Sequence, residues 1–366
     1  MMKKILALLV CVLMLGSLVV GCSTPAAETP ATEAPAEEAA PAEEAAPAEE
    51  APAEEAAEAP VETVSLNVGY MPNYGSLWSV VTAIDKGYFA EENLEVTLTE
   101  FGDGPTIISA MESGSVDFGY IGDGAHKLCV QGQASIIGLS HISNGDAVIG
   151  GPNVKTLEDL KGKTVAYSSG TSSETILTNA LNSVGLTMDD ITAMDMDASA
   201  VVTAMLSGGV DACAIWSPQS LTILDEMADA TKLAENVDYS DISISLASWI
   251  VKPDYLAANR DVAVRFMRAL FKAMDYAAQE EHYEEVAQWV ADYLALDVNS
   301  VLPQARGDAE WLTGKDVVAG IADGTVEGYY QLQQEMMVSS GAITAEEQCP
   351  VADYVDMELM TEAGNY

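Results

Sequence analysis

The residues best placed to meet a small molecule fall on four short loops. Ser168-Ser169-Gly170-Thr171-Ser172-Ser173 lies between a strand-like run, 163–167, and a helical run that begins near Glu174. A helix start leaves backbone N–H groups unpaired and carries the positive end of the helix dipole. Those amides, with the hydroxyls of Thr171, Ser172 and Ser173, suit a sulfonate, carboxylate or phosphate-like group. The plain structural alternative is that Ser172 or Ser173 only caps the helix. Asn73 and Tyr74 follow the first strand-like run, with Trp78 one turn later. An amide beside an aromatic wall is a common small-solute surface, although Trp78 serves equally well as a core residue. Gly122-Asp123 and Trp216-Ser217 end two further strand-like runs, and Trp216 is the strongest single candidate for a stacking surface. Trp249 is a weaker one.

Asp123 and Asp146 bear on the sign of the ligand. Either one, facing a cavity, favours a cationic amine or an N–H donor, and the four loops carry no Arg or Lys. The alternative is that Asp123 caps a turn and Asp146 is solvated. The expected ligand is therefore zwitterionic or amine-bearing, such as an aminosulfonate, or is a nitrogen heterocycle stacked on Trp216.

The elements that position these loops repeat. In 106–125, Ile107, Ala110 and Met111 share a helical face, and Gly114 ends the helix. Val116, Phe118 and Tyr120 then alternate as a strand that finishes at Gly122-Asp123-Gly124. The same pattern returns at 202–211, with Gly208 in the place of Gly114, and is followed by a strand-like run at 212–215 and Trp216-Ser217-Pro218. Two copies point to two similar α/β lobes rather than a solenoid. Ligands in open α/β sheets sit at the carboxyl ends of strands, which is where all four loops fall.

Composition narrows the function. The protein has 366 residues and a net charge of −42, so nucleic acid is not an expected partner. Lys3 and Lys4 precede an apolar run, 5–20, that is too short for a confident membrane span. Val19-Val20-Gly21-Cys22 then resembles a bacterial lipobox, so residues 1–21 read as a lipoprotein signal peptide and Cys22 as the lipidated residue that holds the protein to a membrane. Residues 22–61 are an Ala/Pro/Glu tether with no apolar periodicity, expected to be disordered and to reach roughly 35 Å. Removing the two leader lysines and the eleven tether glutamates leaves −33 on residues 62–366, so the folded part is acidic in its own right. Cys129, Cys213 and Cys349 form neither a disulfide framework nor a zinc spacing, and His126, His141 and His282 show no partner spacing. No metal, cofactor or catalytic set is expected.

The run Ala83-Ile84-Asp85-Lys86-Gly87-Tyr88-Phe89 with Asn93-Leu94-Glu95-Val96 carries a family resemblance. So do Ala110-Met111-Glu112-Ser113-Gly114-Ser115-Val116-Asp117, Leu157-Glu158-Asp159-Leu160-Lys161-Gly162-Lys163 and Gly170-Thr171-Ser172. Together, over about residues 64–360, the sequence resembles the substrate-binding proteins of ABC importers in the nitrate, taurine, aliphatic-sulfonate and thiamine-precursor group. The resemblance implies an α/β, two-lobed type II periplasmic-binding fold with two hinge crossings. It implies capture of a small solute between the lobes and delivery to an ABC permease and its ATPase. It also brings Gly170, Thr171 and Ser172 toward the solute and matches Trp216 to a family Trp-x-Pro. The expected division is 62–148 for the first part of lobe 1, 149–248 for lobe 2, and 249–366 for the return to lobe 1 and the C-terminal helices. Hinges are expected near 144–151 and 248–251, and the protein is expected to be monomeric at the extracytoplasmic face. A pyrimidine-precursor synthase-like enzyme, a metal-capturing lipoprotein and a permease-independent sensor are the competing readings.

Overall fold

The computed structural model describes residues 62–366. The expected signal peptide and tether, with Cys22, lie outside the described residues. Alternation of Leu66, Val68 and Tyr70 buries one side of β1 (Val64–Tyr70), which pairs in parallel with β2 (Leu94–Glu100) and β3 (Phe118–Ile121). The strands β4 (Ser135–Ser143), β10 (Leu246–Val251) and β11 (Ala309–Trp311) extend this sheet in the order β11-β4-β10-β3-β1-β2. The second sheet holds β5 (Ala147–Gly150), β6 (Thr164–Tyr167), β7 (Thr192–Asp195), β8 (Ala212–Ile215) and β9 (Thr231–Glu235), in the order β7-β6-β8-β5-β9.

The two sheets share one plan. Each has two parallel pairs around one strand, β1 or β6, then an antiparallel strand beside β3 or β8. The repeated unit is the same in both lobes. A helix, Gly104–Glu112 or Ala198–Leu206, precedes Gly114 or Gly208, at φ +78° and +71°, and then β3 or β8. Glycine takes that left-handed backbone without a Cβ penalty, which lets the helix stop and the backbone turn into the strand. The first helix of each lobe is also capped alike. Asn73 accepts from the Ser76 N–H at 2.7 Å, and Thr171 accepts from the Ser173 N–H at 3.2 Å.

The backbone leaves the first sheet after Ser143 and enters the second at Ala147, so the outgoing crossing is 144–146. The return differs from expectation. Residues 248–251 are not a hinge: they lie inside β10, buried and paired on both sides. Residues 147 and 148 likewise belong to the second sheet, and 246–248 to the first. The return crossing is 236–245, where Asp238, Ser240, Asp241 and Ser243 break the apolar run that starts at Leu246. A run apolar on both faces is a central strand, whereas a crossing must keep its backbone solvated or side-chain bonded.

The larger core lies in lobe 1, where the C-terminal helices pack back on the first sheet. Phe266 sits at its centre, with ring centroids 4.3 Å from Phe118, 5.4 Å from Phe89 and 5.8 Å from Trp249. Phe266→Ala is expected to cost about 3–5 kcal/mol, read as a lower urea midpoint. Two smaller clusters cover the two faces of the second sheet. No helix among the described residues is long and apolar enough to cross a membrane.

Candidate functional site

The loops after β1, β3, β6 and β8 converge on a cavity of about 70 Å³ between the lobes. Six of the expected residues line it: Asn73 and Gly122 from lobe 1, and Thr171, Ser172, Trp216 and Ser217 from lobe 2. Asp146, on the outgoing crossing, lines it too.

Four expected residues do not line it. Tyr74 and Trp78 are fully buried behind the wall. Their rings lie 5.1 and 4.9 Å from Trp311, and the Trp78 indole N–H donates to Ser140 Oγ at 3.1 Å. Tyr74, Leu77, Trp78 and Val81 fall at i, i+3, i+4 and i+7 of one helix, the spacing of a buried stripe. Asp123 turns away from the cavity into the lobe interface, and Gly170 lies nearer Pro105 and Lys127. Trp249 is core, against Tyr120 and Phe266.

Other lining residues come from segments far apart in sequence. Tyr120 and His141 are bonded, with Tyr120 Oη 3.3 Å from His141 Nε2. Trp311 and Asp308 arrive through β11, whose Trp311 pairs with His141 of β4. The Trp311 ring lies 4.7 Å from the His141 ring, and its indole N–H donates to Ala305 O at 2.7 Å. Asp308 also supplies the carbonyl that accepts from the Asn144 N–H at 2.6 Å, so β11 braces the outgoing crossing.

Four of the six amides of the expected anion cradle at 168–173 are used internally, and those of the cavity-lining Thr171 and Ser172 are not among them. The Ser168 N–H donates to Ser173 Oγ, Ser169 to Asp195, Gly170 to Glu174, and Ser173 to Thr171 Oγ1. The Ser172 hydroxyl is turned toward Asp146, donating to its Oδ1 at 2.5 Å. The other oxygen of Asp146 accepts from Asn236 Nδ2 at 2.9 Å and Ser245 Oγ at 3.4 Å. Asp146 thereby ties the outgoing crossing to the return crossing and to the helix that opens lobe 2.

The charge around the cavity is one-sided. Among the described residues no Lys or Arg lines it. Burial holds His141 neutral, its pKa lowered to about 3. Asp146 and Asp308 line the cavity and Asp123 sits behind it. Burial, then repulsion from Asp146, pushes Asp123 up to about 8. Burial also raises Asp146, and raises Asp308 to about 7. A cation or an N–H donor would replace the protons these groups otherwise retain, whereas an anion would meet carboxylates and neutral rings.

These raised values make stability depend on pH in the direction opposite to paired carboxylates. Between the unfolded value near 3.8 and the folded values of about 7 and 8, the closed protein holds protons that the unfolded state has released. Stability should therefore fall as pH rises from 5 to 8, by about 1.4 kcal/mol per pH unit for each carboxyl still protonated. Thermal melting at pH 5 and pH 8 should show this slope, and Asp308→Asn should reduce it.

The family described as NMT1/THI5 like matches residues 76–282. A Brucella abortus (strain 2308) protein, provisionally named a binding protein, is 30% identical over 285 residues, covering 78% of this protein and 88% of the relative. A Bacillus subtilis (strain 168) protein, provisionally named an aliphatic sulfonates-binding protein, is 29% identical over 234 residues, 61% of this protein and 68% of the relative. The relatives also include an enzyme by name, the 4-amino-5-hydroxymethyl-2-methylpyrimidine phosphate synthase of Aspergillus parasiticus, 27% identical over 220 residues, 54% of this protein and 62% of that enzyme. The solved alkanesulfonate-binding protein SsuA of Xanthomonas axonopodis pv. citri, bound to MOPS, is 22% identical with a TM-score of 0.63, covering 81% of this protein and 99% of that one. That likeness establishes the two-lobed periplasmic-binding fold. With a match that runs through both sheets and over more than half of its length, the protein belongs to the NMT1/THI5-like family.

Proposed function

We propose that the protein is the extracytoplasmic solute-binding component of an ABC importer, capturing a small nitrogen-bearing organic solute between its lobes for delivery to a permease and its ATPase. One observation carries the nature of the solute: a cavity walled by Trp216, Trp311 and Tyr120, with the carboxylates of Asp146 and Asp308 and, among the described residues, no Lys or Arg. An ammonium, or the N–H edge of a heterocycle, answers those carboxylates, and a flat or methylene-rich body answers the rings. Aminosulfonates of the taurine kind and amino-substituted pyrimidines both belong to this class. Plain alkanesulfonates and nitrate offer no group to the carboxylates.

Binding without chemistry is the better-supported reading. Burial pushes the Cys129 thiol up and that of Cys213 up to about 12, so neither supplies a thiolate. His126 and His141 are held neutral by burial. The protein would work as a monomer held at the membrane by lipidated Cys22 and the acidic tether. A lipidated receptor stays within reach of its permease.

The test is thermal stability across taurine, primary amines, amino-pyrimidines, plain alkanesulfonates and nitrate. A solute at about a hundred times its Kd adds roughly 2.7 kcal/mol. Shifts confined to nitrogen-bearing organic solutes are expected. Shifts from plain alkanesulfonates or nitrate alone would overturn the reading.

A further inference from the structure

Behind the wall of the solute cavity runs a hydrogen-bond chain whose direction is set by its first member. The Trp78 indole N–H is a donor only, and it donates to Ser140 Oγ at 3.1 Å. Ser140 Oγ lies 3.1 Å from His141 Nδ1, and His141 Nε2 lies 3.3 Å from Tyr120 Oη. Trp78 and Ser140 are fully buried, whereas His141 and Tyr120 line the cavity.

The protons follow in order. The Ser140 hydroxyl has one proton, and among the described residues its one bonded acceptor is His141 Nδ1. A proton on Nδ1 would strand that hydroxyl proton in a buried site, at the cost of an unmade bond. Nδ1 therefore accepts. Burial holds the imidazole neutral, so its single proton sits on Nε2 and is donated to Tyr120 Oη. The Tyr120 oxygen accepts in this bond, which leaves its own proton without an acceptor among the described residues. Burial, then repulsion from Asp146, Asp123 and Asp308, raises the Tyr120 pKa, so the phenol keeps that proton. Gly75, also in the cavity wall, puts no side chain over the bond: a Cβ there would lie 3.3 Å from Tyr120 Oη and 3.2 Å from His141 Nε2.

We propose that Trp78, Ser140 and His141 hold Tyr120 as a fixed hydrogen-bond donor to the solute, so that the cavity selects molecules carrying an acceptor as well as an N–H group. This rests on reading the cavity as the solute site. Asp146 and Asp308 take the N–H end, and Tyr120 takes a ring nitrogen or a sulfonate oxygen. A plain amine leaves the phenol proton unanswered. Trp78 and Ser140 are positioning residues, acting through His141.

Two measurements test this. Nitrogen NMR of the histidine-labelled whole protein, with His141 assigned by its loss in His141→Gln, should show Nδ1 unprotonated and Nε2 protonated. In Ser140→Ala, with a melting curve to report folding, those signals should move toward a mixture of tautomers. The second measurement is titration with two matched pairs, 4-aminopyrimidine against aniline and taurine against propylamine. Tyr120→Phe keeps the aromatic wall and should weaken the acceptor-bearing member of a pair by roughly tenfold, about 1.4 kcal/mol, while changing the acceptor-free member less than about twofold. The reverse tautomer, a His141 unmoved by Ser140→Ala, or equal effects of Tyr120→Phe on both members of a pair would overturn the assignment. The tautomer is read without solute, so a failure of all four compounds to bind would count against the solute-site reading and leave the donor assignment to be decided by the NMR.

Discussion

Gly124→Val is expected to weaken solute capture by on the order of a hundredfold while leaving the protein folded. A Cβ at this position would lie 2.2 Å from the carbonyl carbon and 2.4 Å from the carbonyl oxygen of Thr171. Those are backbone atoms of the opposite lobe and cannot rotate away. The lobes must then stand apart, and the contacts between them are lost together: the Lys127–Glu174 pair at 3.8 Å and the shared walls of the cavity. In an open arrangement the valine faces solvent, so unfolding should change little. Gly102→Ala is the control, since a Cβ there meets nothing within 4 Å. Calorimetric titration of both variants checks the expectation. Equal affinities would mean that the Gly124–Thr171 contact is not part of the bound state.

Asp146→Asn carries the second large effect. The carboxylate faces the cavity and accepts from Asn236 and Ser245 of the return crossing and from Ser172. Asparagine keeps the shape and one acceptor but removes the charge. Affinity for a cationic solute should fall by ten- to a hundredfold, about 1.4–2.7 kcal/mol, whereas affinity for an uncharged analogue should change far less. Stability at pH 8 should hold or rise, because a buried charge repelling Asp123 is gone. An equal loss for charged and uncharged solutes would instead assign Asp146 to hinge geometry alone.

Much of this was legible from local pattern. The helix–glycine–strand repeat marked the two lobes, because a glycine stop and period-two alternation are set within a dozen residues. Thr171, Ser172, Trp216 and Ser217 were found because the carboxyl end of a strand is a place that local sequence can identify. What failed was orientation and distance. Tyr74 and Trp78 were drawn toward the ligand by residue type, although their spacing with Leu77 and Val81 already described an inward stripe. Asp123 sits one residue from a cavity-lining glycine yet faces the lobe interface. Asp308 and Trp311 were not found, because they reach the cavity only through the pairing of β11 with β4, a contact between segments remote in sequence. Of the six amides at 168–173, four are spent on Ser173, Asp195, Glu174 and Thr171, acceptors that lie up to 26 residues away, which local sequence does not show. The return hinge was misplaced because an apolar run beside a polar one marks a boundary without saying which side bends.

The most direct test of the central claim is a competition in one tube. The protein is incubated with an equimolar pool of taurine, primary amines, amino-pyrimidines, plain alkanesulfonates and nitrate, freed of unbound solute, denatured, and the released molecule identified by mass spectrometry. The one-sided charge of the cavity predicts enrichment of a single nitrogen-bearing organic solute, cationic or rich in N–H donors. Enrichment of a nitrogen-free alkanesulfonate or of nitrate would contradict it.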